Sequence, residues 1–224
     1  MLKAVLFDID GTLANTDLIH FQIWQQLLQD YGIQIDHSFY QKHISGRTNA
    51  TIVEDLLPQL SPTESDRLGL AKEERFRELA QDQLQPMPGL LPLIEWIKLE
   101  NLQLAVVSNA PRLNAEFILQ TLKLEQTFEM VILADDLPVG KPDPLPYQEA
   151  LRRFDLAAEM AVVFEDSPSG IRSAVAAGIT TIGVASTHEH STLYDLGAAL
   201  VIDDFTDERL SLHIKQRSHS CLPL

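Results

Sequence analysis

Asp8-Ile9-Asp10-Gly11-Thr12 follows the apolar run Ala4–Phe7. Two carboxylates two residues apart point the same way if the strand continues through them. Gly11 permits a sharp change of direction, and Thr12 offers a hydroxyl and an amide. Taken alone, the motif also reads as an acidic strand end with a turn. Three further groups change that reading. Ser108 follows the run Leu102–Val107, and Pro111 suits the first turn of the next helix, whose amino end attracts anions. Gly140-Lys141-Pro142-Asp143-Pro144 sets one lysine in a rigid loop. Glu165-Asp166-Ser167-Pro168-Ser169-Gly170 follows another apolar run, with Ser167 placed as helix cap and Pro168 as first helical residue. Carboxylates gathered at strand ends repel one another unless a cation compensates, and hard oxygen donors select Mg²⁺. A hydroxyl, a lysine and a helix amino end around such a cation make a phosphate site.

The elements that must position these groups are legible as six short apolar runs: Ala4–Phe7, Leu102–Val107, Met130–Leu133, Ala161–Phe164, Ile179–Val184 and Ala199–Ile202. Their brevity, β-branched content and lack of alternation suit strands buried on both faces of a parallel sheet. Helical patterns separate most of them, so the expected core is a doubly wound, Rossmann-like α/β fold with its chemistry at the carboxyl ends of the strands. Between Asn15 and Met87 only helical patterns occur. In Asp17–Tyr31 one stripe of positions recurs at i, i+3, i+4 and i+7, with Gly32 as a stop. Thr48–Leu57 and Pro62–Leu84 also read as helices, and Gln85-Pro86-Met87-Pro88-Gly89 closes the stretch as a stiff linker. The expected organisation is an α/β core of residues 1–14 and 88–224 with an inserted all-helical domain, 15–87. The last residues, Lys215–Leu224, lack periodicity and are expected to fray.

Composition narrows the partners. Seventeen basic against 32 acidic residues leave a formal charge of −15, which argues against nucleic acid and anionic membranes. No apolar run reaches the roughly 18–20 residues of a transmembrane helix. Cys221 is the single cysteine, so neither a disulfide framework nor a cysteine zinc site is available. The expectation is a soluble protein of the reducing cytoplasm. His188-Glu189-His190 reads as a polar loop entering a helix, and Asp135-Asp136 as a turn near the site face.

The order D-x-D-x-T, then Ser, then Lys, then Glu-Asp, from Asp8 to Asp166, resembles the four-motif pattern of the haloacid dehalogenase superfamily. The segments HISGRTNATI, VGKPDP and FEDSPSGI are similar to its β-phosphoglucomutase-like group of small phosphatases and mutases, and the helical insertion looks like that group's small cap. The resemblance implies that Asp8 is the nucleophile, forming an aspartyl-phosphate, and that Asp10 is the general acid and base. It implies Mg²⁺ held by Asp8, Asp10 and Asp166, with Glu165 a ligand or a neighbour of one. Lys141 and Ser108 join the catalytic set, the lysine neutralising the transferring phosphoryl. Thr12, Asn109, His20, Arg47 and Lys72 are the implied substrate-binding residues, Arg47 reaching the distal end of the substrate. Arg47 also reads as a solvated arginine in a glycine turn, Lys72 as an exposed helix charge, and His20 as a core histidine on the apolar stripe.

The chain departs from the mutases in two places. Near the Ser45-Gly46-Arg47 step it carries Lys42 and His43, without the mutases' further cap lysine just before that step, and after the second strand it has Ser108-Asn109-Ala110 in place of Ser–Ala. The expected activity is Mg²⁺-dependent hydrolysis of a small phosphorylated metabolite, a sugar phosphate or phosphoglycolate-like ester, by a monomer. The alternatives are a phosphomutase, which shares every core residue, and an idle binding module, which would be expected to lose Asp8, Asp10 or Lys141. A carbon-attacking dehalogenase would lack the magnesium site.

Overall fold

A computed structural model describes residues 1–215; Lys215 ends a helix, and the rest of the expected frayed end, 216–224, with the single Cys221, lies outside the described residues. Six strands form one sheet: β1 (Ala4–Phe7), β2 (Gln103–Ser108), β3 (Met130–Leu133), β4 (Ala161–Glu165), β5 (Thr180–Val184) and β6 (Leu200–Ile202). Their order is β3-β2-β1-β4-β5-β6, and every pairing is parallel. The fold is the doubly wound, Rossmann-like α/β arrangement expected. Strand bounds differ from the apolar runs by one residue at several ends, because Ser108 and Glu165 continue the ladder although they are polar.

The register places the chemistry. Phe7 is level with Val106 on one side and Phe164 on the other. Asp8 and Asp166 therefore follow β1 and β4, and Ser108 ends the neighbouring β2, at the point where strand order reverses. This is where α/β sheets leave a crevice for ligands. On one face Ala4, Leu6, Ala105, Val107, Ala161 and Val163 form a buried cluster with Tyr147 and Ala150 of α7 (Leu145–Phe154) and Ala174 of α8 (Pro168–Ala176). On the other, Phe7 stacks on Phe164 at 5.0 Å, and Phe205 meets Phe164 edge-on at 5.1 Å. Both faces are dry, as a parallel sheet requires.

The chain divides into two compact units, one of Met1–Asn15 with the chain from Gln85 onward, the other of Thr16–Leu84. The second holds four helices: α1 (Asp17–Asp30), α2 (His37–His43), α3 (Asn49–Leu56) and α4 (Pro62–Ala80). Its core gathers Trp24, Leu28, Ile35, Tyr40, Ile44 and Ile52. Helix α2 was not among the sequence expectations; at seven residues it is too short for a periodic stripe, and it starts on an Asp36 cap that accepts from the Phe39 amide at 2.7 Å. Ser61 and Glu64 close a capping box at the start of α4. The remaining helices are α5 (Leu90–Leu99), α6 (Arg112–Thr121), α9 (His190–Asp195) and α10 (Glu208–Lys215). Pro111 caps α6 from outside and does not enter its first turn. Among the described residues, no helix is long and apolar enough to cross a membrane.

Candidate active site

Asp8 leaves β1 with its amide donating to Phe164 O at 3.0 Å, so the nucleophile candidate is anchored to the next strand. The chain then folds back: the Leu13 amide donates to Ile9 O at 2.8 Å and Gly11 N to Ala14 O at 2.8 Å, with Gly11 at φ +75°. A Cβ on Gly11 would lie 2.2 Å from Asp166 Oδ2, so only glycine lets this loop approach that carboxylate. Thr12 is fully buried, and its hydroxyl has no hydrogen-bond partner among the described residues. A buried orphan hydroxyl is costly unless a ligand completes it.

Lys141 arrives from the β3–α7 loop and is buried. Its Nζ donates to Asp8 Oδ1 at 2.7 Å, to Val107 O at 2.6 Å and to Glu165 Oε1. Those are all three of its hydrogens. Burial pushes the ammonium down, but Asp8 and Glu165 more than offset it, leaving Lys141 above its ordinary value and charged. Asp8 is pushed up to about 7: burial is the main cause, Lys141 opposes it, and Glu165 and Asp10 add to it. The side chain of Asn109 grips the same loop, accepting from Lys141 N and donating to Lys141 O, each at 2.9 Å. A Cβ on Gly140 would sit 2.6 Å from Asn109 Oδ1, which accounts for the glycine before the lysine. Ser108, buried at the end of β2, accepts from the Ala110 amide at 3.2 Å.

Glu165 ends β4 and Asp166 follows it at the amino terminus of α8, where Ser167 caps by accepting from Gly170 N at 3.0 Å. Glu165 is fully buried and takes the Tyr147 hydroxyl on Oε1 at 2.7 Å. Burial first, and the Glu165 and Asp8 charges after it, raise the Tyr147 phenol well above its ordinary value, so it keeps its proton. Thr187 Oγ1 donates to Asp166 Oδ2 at 2.6 Å, and Ser186 Oγ donates to Gly11 O. Asp8, Glu165 and Asp166 each offer an oxygen, all within 4.8 Å of one another. An all-carboxylate set with one ammonium among it fits a hard divalent cation such as Mg²⁺. Such a cation would also draw Asp8 back to its ionised form.

A family model described as "Haloacid dehalogenase-like hydrolase" matches residues 5–184. The chain belongs to this hydrolase family. Validoxylamine A 7'-phosphate phosphatase of Streptomyces hygroscopicus subsp. limoneus is 32% identical over 216 residues, covering 93% of this chain and 97% of that protein. Phosphorylated carbohydrates phosphatase of Thermotoga maritima is 30% identical over 207 residues, covering 90% and 94%. The crystal structure of CbbY from Rhodobacter sphaeroides in complex with phosphate aligns at a TM-score of 0.81 and 28% identity, covering 92% of this chain and 96% of that one.

Of the residues singled out in this haloacid dehalogenase-like chain, Asp8, Lys141 and Glu165 are in direct contact, Asp166 stands beside them, and Asn109 holds the lysine backbone. Asp10 stands in the turn between Asp8 and Gly11 and pairs with Ala14 in an isolated bridge. His20, Arg47 and Lys72 belong to the helical unit. There His20 stacks on Phe76 at 4.3 Å, and Lys72, buried, pairs with Glu73 at 2.8 Å. Glu73 also accepts from Asn49; burial pushes it up, but Lys72, His20 and these hydrogen bonds bring it below its usual range. Arg47 pairs with Asp55 and donates to His43 O at 2.8 Å. Outside the site, Asp136 pairs with Arg112, and His190 lies 2.6 Å from Asp203.

The roles of three residues that touch this site escaped the sequence reading. Thr187 was within reach: it lies just past β5, and the rule that selected the ends of the other strands also selects it. Tyr147 sits on the buried stripe of α7 and reads as core. Gly170 gave no signal without the position of Glu165.

Proposed function

We propose that this chain is a Mg²⁺-dependent phosphatase of small phosphorylated metabolites that works through an aspartyl-phosphate on Asp8. One observation carries the reading: the Asp8 carboxylate lies against the Lys141 ammonium, beside Asp166, at the strand-order reversal. Asp8, Asp10 and Asp166 would hold the cation, with Glu165 turned toward Lys141. When bound, Mg²⁺ supplies the positive charge that lets an anionic ester approach four carboxylates.

An oxygen of Asp8 attacks phosphorus, and the ester P–O bond breaks as Asp10 gives its proton to the leaving oxygen. Asp10 then takes a proton from water, whose oxygen attacks the same phosphorus, and the Asp8–phosphorus bond breaks to release phosphate. Lys141 would balance the charge of the transferring group throughout, and the unpartnered Thr12 hydroxyl and buried Ser108 would bind its oxygens. By the family resemblance, the choice of substrate falls to the Thr16–Leu84 unit. The named substrates of the relatives, phosphorylated carbohydrates among them, support a sugar phosphate.

The mutase alternative shares every core residue, so the product of turnover separates the two readings. The test is turnover of p-nitrophenyl phosphate and a panel of sugar monophosphates. Asp8→Asn and chelation of the metal should each abolish phosphate release, and turnover retained by Asp8→Asn would end the mechanism. Isomerised sugar phosphate without phosphate release would select the mutase.

A further inference from the structure

We infer that Tyr147 is a positioning residue for Lys141, acting through Glu165. This rests on the reading above, in which Asp8 and Lys141 carry the transfer. Tyr147 is fully buried in the face of the sheet formed by Ala4, Leu6, Ala105 and Val107, where a phenylalanine would fill almost the same volume. Burying a hydroxyl there is unfavourable unless it is hydrogen-bonded, and its bond goes to Glu165 Oε1 at 2.7 Å.

That oxygen accepts two donors, the Tyr147 hydroxyl and Lys141 Nζ. With both lone pairs occupied, the carboxylate has one preferred rotation. Lys141 in turn spends one of its three hydrogens on Glu165 and the others on Asp8 and Val107 O. The Tyr147 ring lies 5.1 Å from the ammonium, within cation–π range. A lysine stem has four flexible carbons, so its ammonium is held only as well as its acceptors are. Glu165 Oε2 also takes a long bond, 3.4 Å, from Ser167 Oγ, so without the phenolic hydrogen the carboxylate loses the shorter of its two bonds to hydroxyls, and the ammonium is held less firmly on Asp8. A tyrosine serving only as core filling predicts the opposite, since loss of a hydroxyl from a packed core without consequence for the site leaves turnover untouched.

The experiment measures hydrolysis of p-nitrophenyl phosphate at saturating Mg²⁺, together with thermal melting, for the wild type, Tyr147→Phe, Tyr147→Leu, Glu165→Gln, the Tyr147→Phe/Glu165→Gln pair and Lys141→Ala. Tyr147→Phe should lower kcat about tenfold with KM within about twofold, because the loss falls on the transition state. Tyr147→Leu, lacking the ring as well, should lower it about a hundredfold. In the Glu165→Gln background, Tyr147→Phe should change kcat less than about twofold, since two members of one chain of contacts are not additive. Wild-type kcat in Tyr147→Phe, or the same tenfold factor in the Glu165→Gln background, overturns the inference. If Tyr147→Leu does not fold, Tyr147→Phe and the double variant decide alone. Undiminished activity in Lys141→Ala would overturn the underlying mechanism instead, which keeps the two failures distinct.

Discussion

Gly170 stands in the first turn of α8, where alanine would ordinarily stabilise the helix by about 1 kcal/mol. In this protein the sign should reverse. A Cβ on Gly170 would lie 1.8 Å from Glu165 Cδ and 1.9 Å from both its carboxylate oxygens. Carbon atoms in contact need about 3.5 Å, so the carboxylate must retreat by roughly 1.7 Å. A shift of that size breaks the hydrogen-bond geometry that Glu165 keeps with Lys141 and Tyr147. Overpacking costs about 1–3 kcal/mol and disrupting one end of a buried ion pair about 3–5, partly the same event counted twice. Set against the helix gain, Gly170→Ala should destabilise by about 2–5 kcal/mol, a fall in Tm of roughly 5–15 °C for a chain of this size. Turnover should fall about a hundredfold, because Lys141 loses one of its three acceptors and Glu165 is displaced within the site. Gly69→Ala in α4 is the matched control: its Cβ would meet Asn49 Cβ at an ordinary 3.5 Å, so Tm should hold or rise. Calorimetric melts of the two variants, read beside hydrolysis of p-nitrophenyl phosphate, decide the matter. A Gly170→Ala chain that melts at or above the wild type and turns over normally would refute the placement of Glu165.

Two further outcomes follow from the same geometry. Asn109→Ala should lower kcat about tenfold with little change in KM, since both side-chain hydrogen bonds go to the Lys141 backbone; a selective rise in KM would instead make Asn109 a substrate ligand. Burial, with Glu165 and Asp10, sets Asp8 at about 7 in the folded, metal-free chain, against an ordinary 3.8. Its contribution to stability is therefore full below about pH 4 and is lost as pH rises through about 7. Below about pH 7 Asp8 holds its proton, so Mg²⁺ binding should release protons at pH 6 and far fewer at pH 8. Titration calorimetry in buffers of different ionisation heat counts those protons, and none released at pH 6 would contradict the assignment.

How much of this was readable in advance varies element by element. The six apolar runs mark the six strands because a parallel sheet is dry on both faces and leaves an unbroken apolar signature. Ser167-Pro168 announces the start of α8 because caps act within one turn. The short α2 left no such trace, since its stability comes from Tyr40 packing into the helical core. Arg47 stood out as a lone cation in a glycine turn, and only the folded unit shows Asp55 beside it; Glu73 follows Lys72 in the chain, but only the fold shows that the pair is buried.

The sequence by itself determined which chemical groups this protein owns and the strand ends from which they emerge. Those are local properties: burial pattern, turn chemistry, the type of side chain after a strand. Tertiary structure alone decided which groups touch. Lys141 reaches Asp8 across 133 positions, and Tyr147 reaches Glu165 across 18. Such meetings depend on the register of β1 between β2 and β4 and on how α7 packs against the sheet. No local spacing encodes them, because they exist only once the crossovers have closed.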